Sequence, residues 1–407
     1  MNRQPTSAFW VLTLLGLAVL IPMASLLAVG RLPGFEPGDL QFWHSSYIRR
    51  VLFFSFWQAF LSTLISLGLA LLVARSIAFR GNFPLRNLLL KLFGLPLVVP
   101  SIVAVMGVVS VYGAEGWIPL GRSLYGLNGI LIAHVFFNLP LAVRLLLPVW
   151  QSLPDHYWQL AEQLRFTPWQ RWVHIEWPAI RENLPGVSLL VFMLCLTSFA
   201  VVLTLGGGPK SSTLEVAIYQ SLRFDFDPTQ AVILALLQLS LCLVVAVIGL
   251  SLQKLPEVEI TISASNYAWH NKNRLFHNLV ILLAAIFVGL PLLAMILDAI
   301  RGPVIEVISD NKLWQATAYT LMIGLSAAFC SVLAGWFLLR SSSVFANRGQ
   351  INKAKWIELA GSVVYVVPPL VLGTGYFVLL APHVDVFDWV FPIVILINAM
   401  MGLPFVI

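Results

Sequence analysis

His134 and Asn138 stand four residues apart in one apolar run, Ala133-His134-Val135-Phe136-Phe137-Asn138-Leu139-Pro140. On a helix that spacing stacks both polar side chains on a single face, one turn apart. Gln58 and Gln238 are set in apolar runs in the same way. A polar side chain held in hydrocarbon is a functional candidate, because hydrocarbon offers it no partner. Two uses are open, lining a pathway or hydrogen-bonding one helix to another. Trp57, Phe136 and Phe137 add aromatic faces that can stack on a cationic heterocycle, or can simply pack. The pathway candidates are therefore Trp57, Gln58, His134 and Asn138. Arg144 ends the same run, where its long stem can carry the charge to the headgroups.

No reacting set accompanies these residues. Cys195, Cys242 and Cys330 all fall in apolar runs without metal-ligand spacing and read as small buried hydrophobes. Seven scattered histidines give no metal set. Gly206-Gly207-Gly208-Pro209-Lys210-Ser211 looks superficially like a phosphate loop. Pro209 stands where the glycine before the lysine is required, so the segment reads as a glycine-rich turn at an outer mouth. No catalytic residue, metal or cofactor is expected, and the chain is not read as an enzyme.

The elements that position these residues follow from composition. Hydrophobic residues make up 59% of the 407-residue chain and charged ones only 10%, with mean hydropathy +0.88. A soluble domain cannot hide that much apolar surface, so the solvent must be lipid. The net charge of +6 is better explained by basic residues collected on one side of a membrane than by nucleic acid. Ten apolar spans are expected, at 8–29, 51–74, 88–112, 127–149, 185–205, 231–253, 277–298, 315–339, 356–380 and 387–407. With the N-terminus inside, 16 of the 24 lysines and arginines fall on the cytoplasmic side, which favours that orientation. Pro100, Pro140, Pro291 and Pro368 are expected to interrupt their spans.

The second part of the chain echoes the first. Leu71-Leu72-Val73-Ala74-Arg75-Ser76 matches Trp336-Phe337-Leu338-Leu339-Arg340-Ser341 at an offset of 265. Val98-Val99-Pro100 matches Val366-Val367-Pro368 at 268, and Leu139-Pro140 matches Leu403-Pro404 at 264. The common order and near-constant offset carry the signal. Repeated helical bundles with a pathway between the halves are a habit of transporters. The repeat also predicts about 110 further residues for a complete second half, so the chain reads as a fragment whose second half is incomplete.

Between the fourth and fifth spans lies a basic, aromatic loop. Pro154-Asp155 starts a short amphipathic helix carrying Tyr157, Leu160, Ala161 and Leu164. Thr167-Pro168 starts a second, with Thr as N-cap and Pro at the first helical position, running to a stop before Pro178. Exposed Trp158, Trp169 and Trp172 would suit a groove on a partner protein. An interfacial hairpin at the headgroups is the other reading.

Gln159, Leu160, Ala161, Arg165, Ile175 and Pro178 follow the spacing of the loop by which bacterial ABC importer permeases meet their ATPases. Ala161, Ile175 and Pro178 agree in identity with that Glu-Ala-Ala pattern. Gln159, Leu160, Arg165 and Trp177 depart from it. Arg165 replaces a glycine that permits positive φ, so it should strain the turn or force another geometry. Four strings are more specific: residues 54–62, residues 133–140, Leu205-Gly206-Gly207-Gly208-Pro209 and Leu214-Glu215-Val216-Ala217-Ile218-Tyr219-Gln220. With them the chain resembles the thiamine permeases of that importer family.

The resemblance implies an all-α, polytopic transmembrane helical bundle of two tandem type-I ABC permease repeats, the second incomplete. It implies a multi-pass protein of the bacterial inner membrane that translocates thiamine and its phosphates. The implied partners are two copies of an ABC ATPase subunit, a periplasmic thiamine-binding protein and membrane lipid, with no nucleic acid. ATP hydrolysis would lie in the separate ATPase. The expected domains are an N-terminal helix and periplasmic loop (1–50), a first permease domain (51–253) with its coupling loop at 152–180, a linker with a connecting helix (254–314), and a second permease domain (315–407). Three rivals stay open: a permease for another cargo such as ferric ion, an ion-coupled secondary transporter or channel, and a non-transporting membrane subunit.

Overall fold

A computed structural model describes residues 6–27, 45–81, 83–120, 124–208, 211–252, 273–363 and 366–407. The expected periplasmic loop before residue 45, Pro209 and Lys210 of the glycine turn, and the linker at 254–272 lie outside them.

The helices in chain order are α1 (Thr6–Leu27), α2 (Ser46–Arg80), α3 (Arg86–Leu92), α4 (Ser101–Tyr112), α5 (Leu127–Gln151), α6 (Asp155–Gln163), α7 (Pro168–Arg171), α8 (Trp177–Leu196) and α9 (Ala200–Leu205). They continue as α10 (Leu214–Arg223), α11 (Pro228–Leu252), α12 (Arg274–Arg301), α13 (Val304–Ser309), α14 (Asn311–Asn347), α15 (Ile351–Val363), α16 (Pro369–Leu380) and α17 (Val390–Gly402). The fold is all-α. Among the described residues, seven helices are long and apolar enough to cross a membrane, or eight if the bent pair Arg86–Leu97 and Ser101–Tyr112 counts as one span.

Several expected boundaries are corrected. The fifth span does not start at 185. A continuous helical run from Pro168 to Leu196 carries it, and residues 200–205 form the separate α9. The ninth span is broken into α15 and α16, and α17 is only 13 residues long. Prolines divide into two kinds. Pro100 (φ −54°, ψ 133°) and Pro368 (φ −61°, ψ 140°) each sit in extended backbone immediately before a 12-residue helix. The extended ψ of these two residues turns the chain, and the break at Pro100 bends its helix pair by 113°. Pro140 and Pro291 interrupt nothing and lie inside α5 and α12. A buried helix interior tolerates one missing N–H where packing holds the turn.

The described residues divide into two compact units. One comprises Arg50–Thr213 and Val245–Gly302. In it α4 crosses α12, with Gly107 directly against the Pro291 carbonyl, where any Cβ would collide with backbone. Helix α5 packs on α8 and α9. The other comprises Met1–Arg49, Leu214–Val244 and Pro303–Ile407. In it α1 crosses α16, with Gly375 against Pro22, whose carbonyl oxygen would lie 2.7 Å from an added Cβ. Ser25 Oγ donates to the Gly375 carbonyl at 2.8 Å and Tyr376 Oη to the Ala18 carbonyl at 2.7 Å across that crossing. Ala8, Leu338, Ile357 and Leu403 form its apolar core with Leu12, Leu15 and Phe345.

Gly107 and Gly375 are 268 residues apart, the offset of the Val-Val-Pro match, and Pro22 and Pro291 are 269 apart. The third match does not share a conformation. Pro140 is inside α5, whereas Pro404 lies in a 3-10 turn after α17.

Candidate coupling and translocation site

Helix α6 follows Pro154, whose extended backbone precedes the first turn, and carries Asp155 at its N-terminal end. Its C-terminus closes with two backbone bonds. The Phe166 N–H donates to the Ala161 carbonyl at 2.8 Å and the Arg165 N–H to the Glu162 carbonyl at 3.0 Å. This pairing requires a left-handed residue between helix and exit, normally glycine. Arg165 occupies it at φ 53°. The turn thus keeps the geometry that glycine would give, and Arg165 carries the strain.

Thr167 then caps α7. Its Oγ1 accepts from the Gln170 N–H at 3.3 Å, and Gln170 Oε1 accepts from the Thr167 N–H at 2.8 Å. The helix does not stop before Pro178 as expected. Trp172–Glu176 forms a π-helical turn in which the Trp177 N–H donates back to the Trp172 carbonyl. That wider turn shifts the hydrogen-bond register just ahead of Pro178, whose missing N–H therefore breaks no run of bonds.

The surface of the loop is sorted by this geometry. Gln159 and Leu160 are exposed on α6, Leu164 and Arg165 in the turn that follows it, and Trp169 is 71% exposed on α7. Ala161 is buried, and Ile175 and Pro178 are half-buried. The expectation of an exposed Trp158 is corrected. It is buried edge-to-face against Phe79 with ring centroids 6.0 Å apart, because α6 lays its apolar side on the end of α2. Trp172 is half-buried, with the Arg75 guanidinium 5.7 Å from its ring.

The residue that fixes the loop escaped the sequence reading. Glu176 is fully buried and takes a bidentate Arg75, with Nε–Oε2 at 2.7 Å and Nη2–Oε1 at 2.9 Å. Trp150 Nε1 donates to the same Oε2 at 2.9 Å. Arg75 also lies over the Phe79 ring at 4.5 Å. One carboxylate thereby ties the π turn to the ends of α2 and α5. Nothing in the sequence pairs Glu176 with a residue 101 positions earlier. An acid flanked by Ile175 and Trp177 was the available sign.

Higher in the same unit, polar side chains converge between α2, α5 and α8. Gln58 Nε2 donates to the Cys195 carbonyl at 2.9 Å and the Ser55 carbonyl at 3.1 Å. Ser62 Oγ pairs with His134 Nδ1 at 2.9 Å, and Asn138 Nδ2 donates to Cys195 Sγ at 3.2 Å. Gln58, His134 and Asn138 are all buried, and Gln58 Oε1 and His134 Nε2 have no hydrogen-bond partner. The structure brings these three candidates together. Trp57 stands apart, 39% exposed and stacked with Phe53 and Phe60 at 6.2 Å each. A second buried acid was also missed. Glu215 on α10 lies outside the apolar spans and, among the described residues, accepts a hydrogen bond from Gln238 Nε2 at 3.4 Å. Burial pushes its carboxyl up to about 8. No group of metal-ligating side chains occurs among the described residues.

The seven long apolar helices among the described residues, one of them running on from a capped helical loop, mark a membrane protein. The family model for the inner membrane component of binding-protein-dependent transport systems matches residues 66–254. The thiamine transport system permease protein ThiP of Brucella suis biovar 1 (strain 1330) is 42% identical over 97% of this chain and 74% of its own length. ThiP of Escherichia coli (strain K12) is 39% identical over 99% and 78%, and that of Haemophilus influenzae 38% over 91% and 71%. The chain belongs to the ThiP family of inner-membrane transport permeases. It is a multi-pass permease subunit of a transport system.

Proposed function

We propose that this chain forms the thiamine-translocating pathway of an ATP-driven importer, with its N-terminus cytoplasmic. The identity to ThiP proteins over nearly the whole chain carries this reading. A thiamine-binding protein outside the membrane delivers cargo. Two ATPase subunits work at the cytoplasmic face, one of them seated on 155–178. The exposed row of Gln159, Leu160, Leu164 and Trp169 is the contact for that subunit. Ala161, Ile175 and Pro178 are internal and hold the loop's shape. The two halves are tandem copies, which the matched crossings at Gly107 and Gly375 support.

The geometry also suggests how motion travels. A push on α6 and α7 reaches the π turn, where Glu176 grips Arg75 and Trp150. Helix α8 continues from that turn to Cys195, about 28 Å away along one axis. A shift of α8 against α2 and α5 exchanges the bonds from Cys195 to Gln58 and Asn138. Those polar groups, with His134, then face the pathway. The test is uptake of labelled thiamine in a permease-deficient strain that supplies the binding protein and ATPase. Accumulation restored by the gene supports the proposal. No accumulation, or accumulation of a different cargo only, refutes it.

A further inference from the structure

A cavity of about 610 Å³ opens between α3, the 3-10 turn Leu95–Leu97 and α5. Its apolar walls include Leu90, Leu95, Val98 and Leu147, and its charged groups are Lys91 and Arg144. No carboxylate lines it. The two cations come from different elements, the last turn of α3 and the body of α5. Neither has a salt-bridge partner among the described residues. Arg144 is seated against Gly94, where an added Cβ would lie 2.9 Å from its Nη1. Glycine at that position leaves room for the guanidinium beside the turn.

The depth of the site matters. Arg144 lies seven residues before the end of α5, on the end that leads into α6. At the helical rise this is about 10 Å from the helix end; with that end at the cytoplasmic face, as the proposed function has it, Arg144 is near the boundary between headgroups and hydrocarbon. An arginine at that depth reaches its charge to the headgroup layer, where an anionic group is the natural partner. The surrounding surface is apolar, with Leu95 and Leu97 about half exposed and Val98 80% exposed. Basic pockets between transmembrane helices on the cytoplasmic side suit anionic headgroups.

We propose that this cavity binds an anionic phospholipid of the leaflet on the coupling-loop side. Its phosphate lies between Lys91 and Arg144, and one acyl chain runs along Leu95 and Val98. A soluble phosphate shares the headgroup chemistry, but it would leave the apolar walls unused. The test is native mass spectrometry of the purified full chain after reconstitution in mixed phosphatidylglycerol and phosphatidylcholine and extraction. The wild type is expected to retain phosphatidylglycerol in preference to phosphatidylcholine. The Lys91→Gln/Arg144→Gln variant should lose that preference by about thirtyfold, taking about 1 kcal/mol per cation near the surface. Lys91→Glu, at an exposed position on α3, should lose it too while eluting and melting as the wild type does. The neutralised control Lys353→Gln should keep it. Equal retention of both lipids by the wild type, or unchanged preference in the variants, overturns the proposal. Displacement of phosphatidylglycerol by inorganic phosphate at equal concentration overturns the assignment to lipid.

Discussion

Arg165 holds a backbone conformation that its own Cβ opposes, at φ 53°. The spacing of Gln159, Ala161 and Pro178 made that position legible, because the loop pattern places a glycine there. Arg165→Gly should therefore raise stability by about 0.5–1 kcal/mol, the relief of a left-handed residue less the extra freedom of unfolded glycine. Arg165→Ala should not, since alanine keeps the Cβ. Thermal unfolding of both variants checks this. Glu176 and Glu215 were not legible, because their partners are set by helix packing and not by neighbours in sequence. For Glu215 the sign of a pH effect follows from burial. Its carboxyl is raised from 4.5 to about 8. Between those values the folded chain keeps a proton that the unfolded chain has lost, so stability falls as pH rises through the window. The melting temperature of Glu215→Gln should vary less with pH from 5 to 8 than that of the wild type, and a parallel profile would remove this cause.

The elements divide between those that hydropathy specifies and those that packing decides. Thr167-Pro168 announced the start of α7, and the observed capping box with Gln170 follows from it. Pro178 announced a stop that does not occur, because the π turn at Trp172–Glu176 absorbs the proline. Pro100 and Pro368 break their helices while Pro140 and Pro291 do not. Proline alone cannot distinguish these cases; neighbouring helices do. The proposed coupling loop rests on one buried carboxylate, and the two ways of breaking its ion pair should differ. Arg75→Ala leaves Glu176 charged and buried, at a cost of roughly 3–5 kcal/mol. Glu176→Gln leaves Arg75, whose side chain is 25% accessible, free to turn toward water, and should cost roughly 1–2 kcal/mol. Denaturant unfolding of both single variants and the double variant measures the difference and the coupling. Gly107→Val and Gly375→Val should each destabilise by roughly 1–3 kcal/mol, since each adds a side chain where helix backbones cross. Equal effects are expected if the two crossings are copies.

Composition alone placed the whole chain in a membrane, and the long apolar helices bear that out, though seven or eight of them are found among the described residues where ten spans were expected. That each compact unit draws on separated stretches of the chain was invisible, because a repeat in sequence does not say which helices pack together. Cargo is equally absent from the proposed pathway residues: Gln58, His134 and Asn138 are two amides and an imidazole that suit many polar ligands. It is the likeness to ThiP proteins that points to thiamine. The most direct measurement is therefore labelled-thiamine accumulation in proteoliposomes holding the permease, its ATPase and its binding protein. Accumulation should require ATP, persist with an uncoupler present, and disappear in Leu160→Glu/Trp169→Glu while the ATPase keeps its basal hydrolysis. Accumulation without ATP that collapses with the ion gradient would contradict an ATP-driven importer.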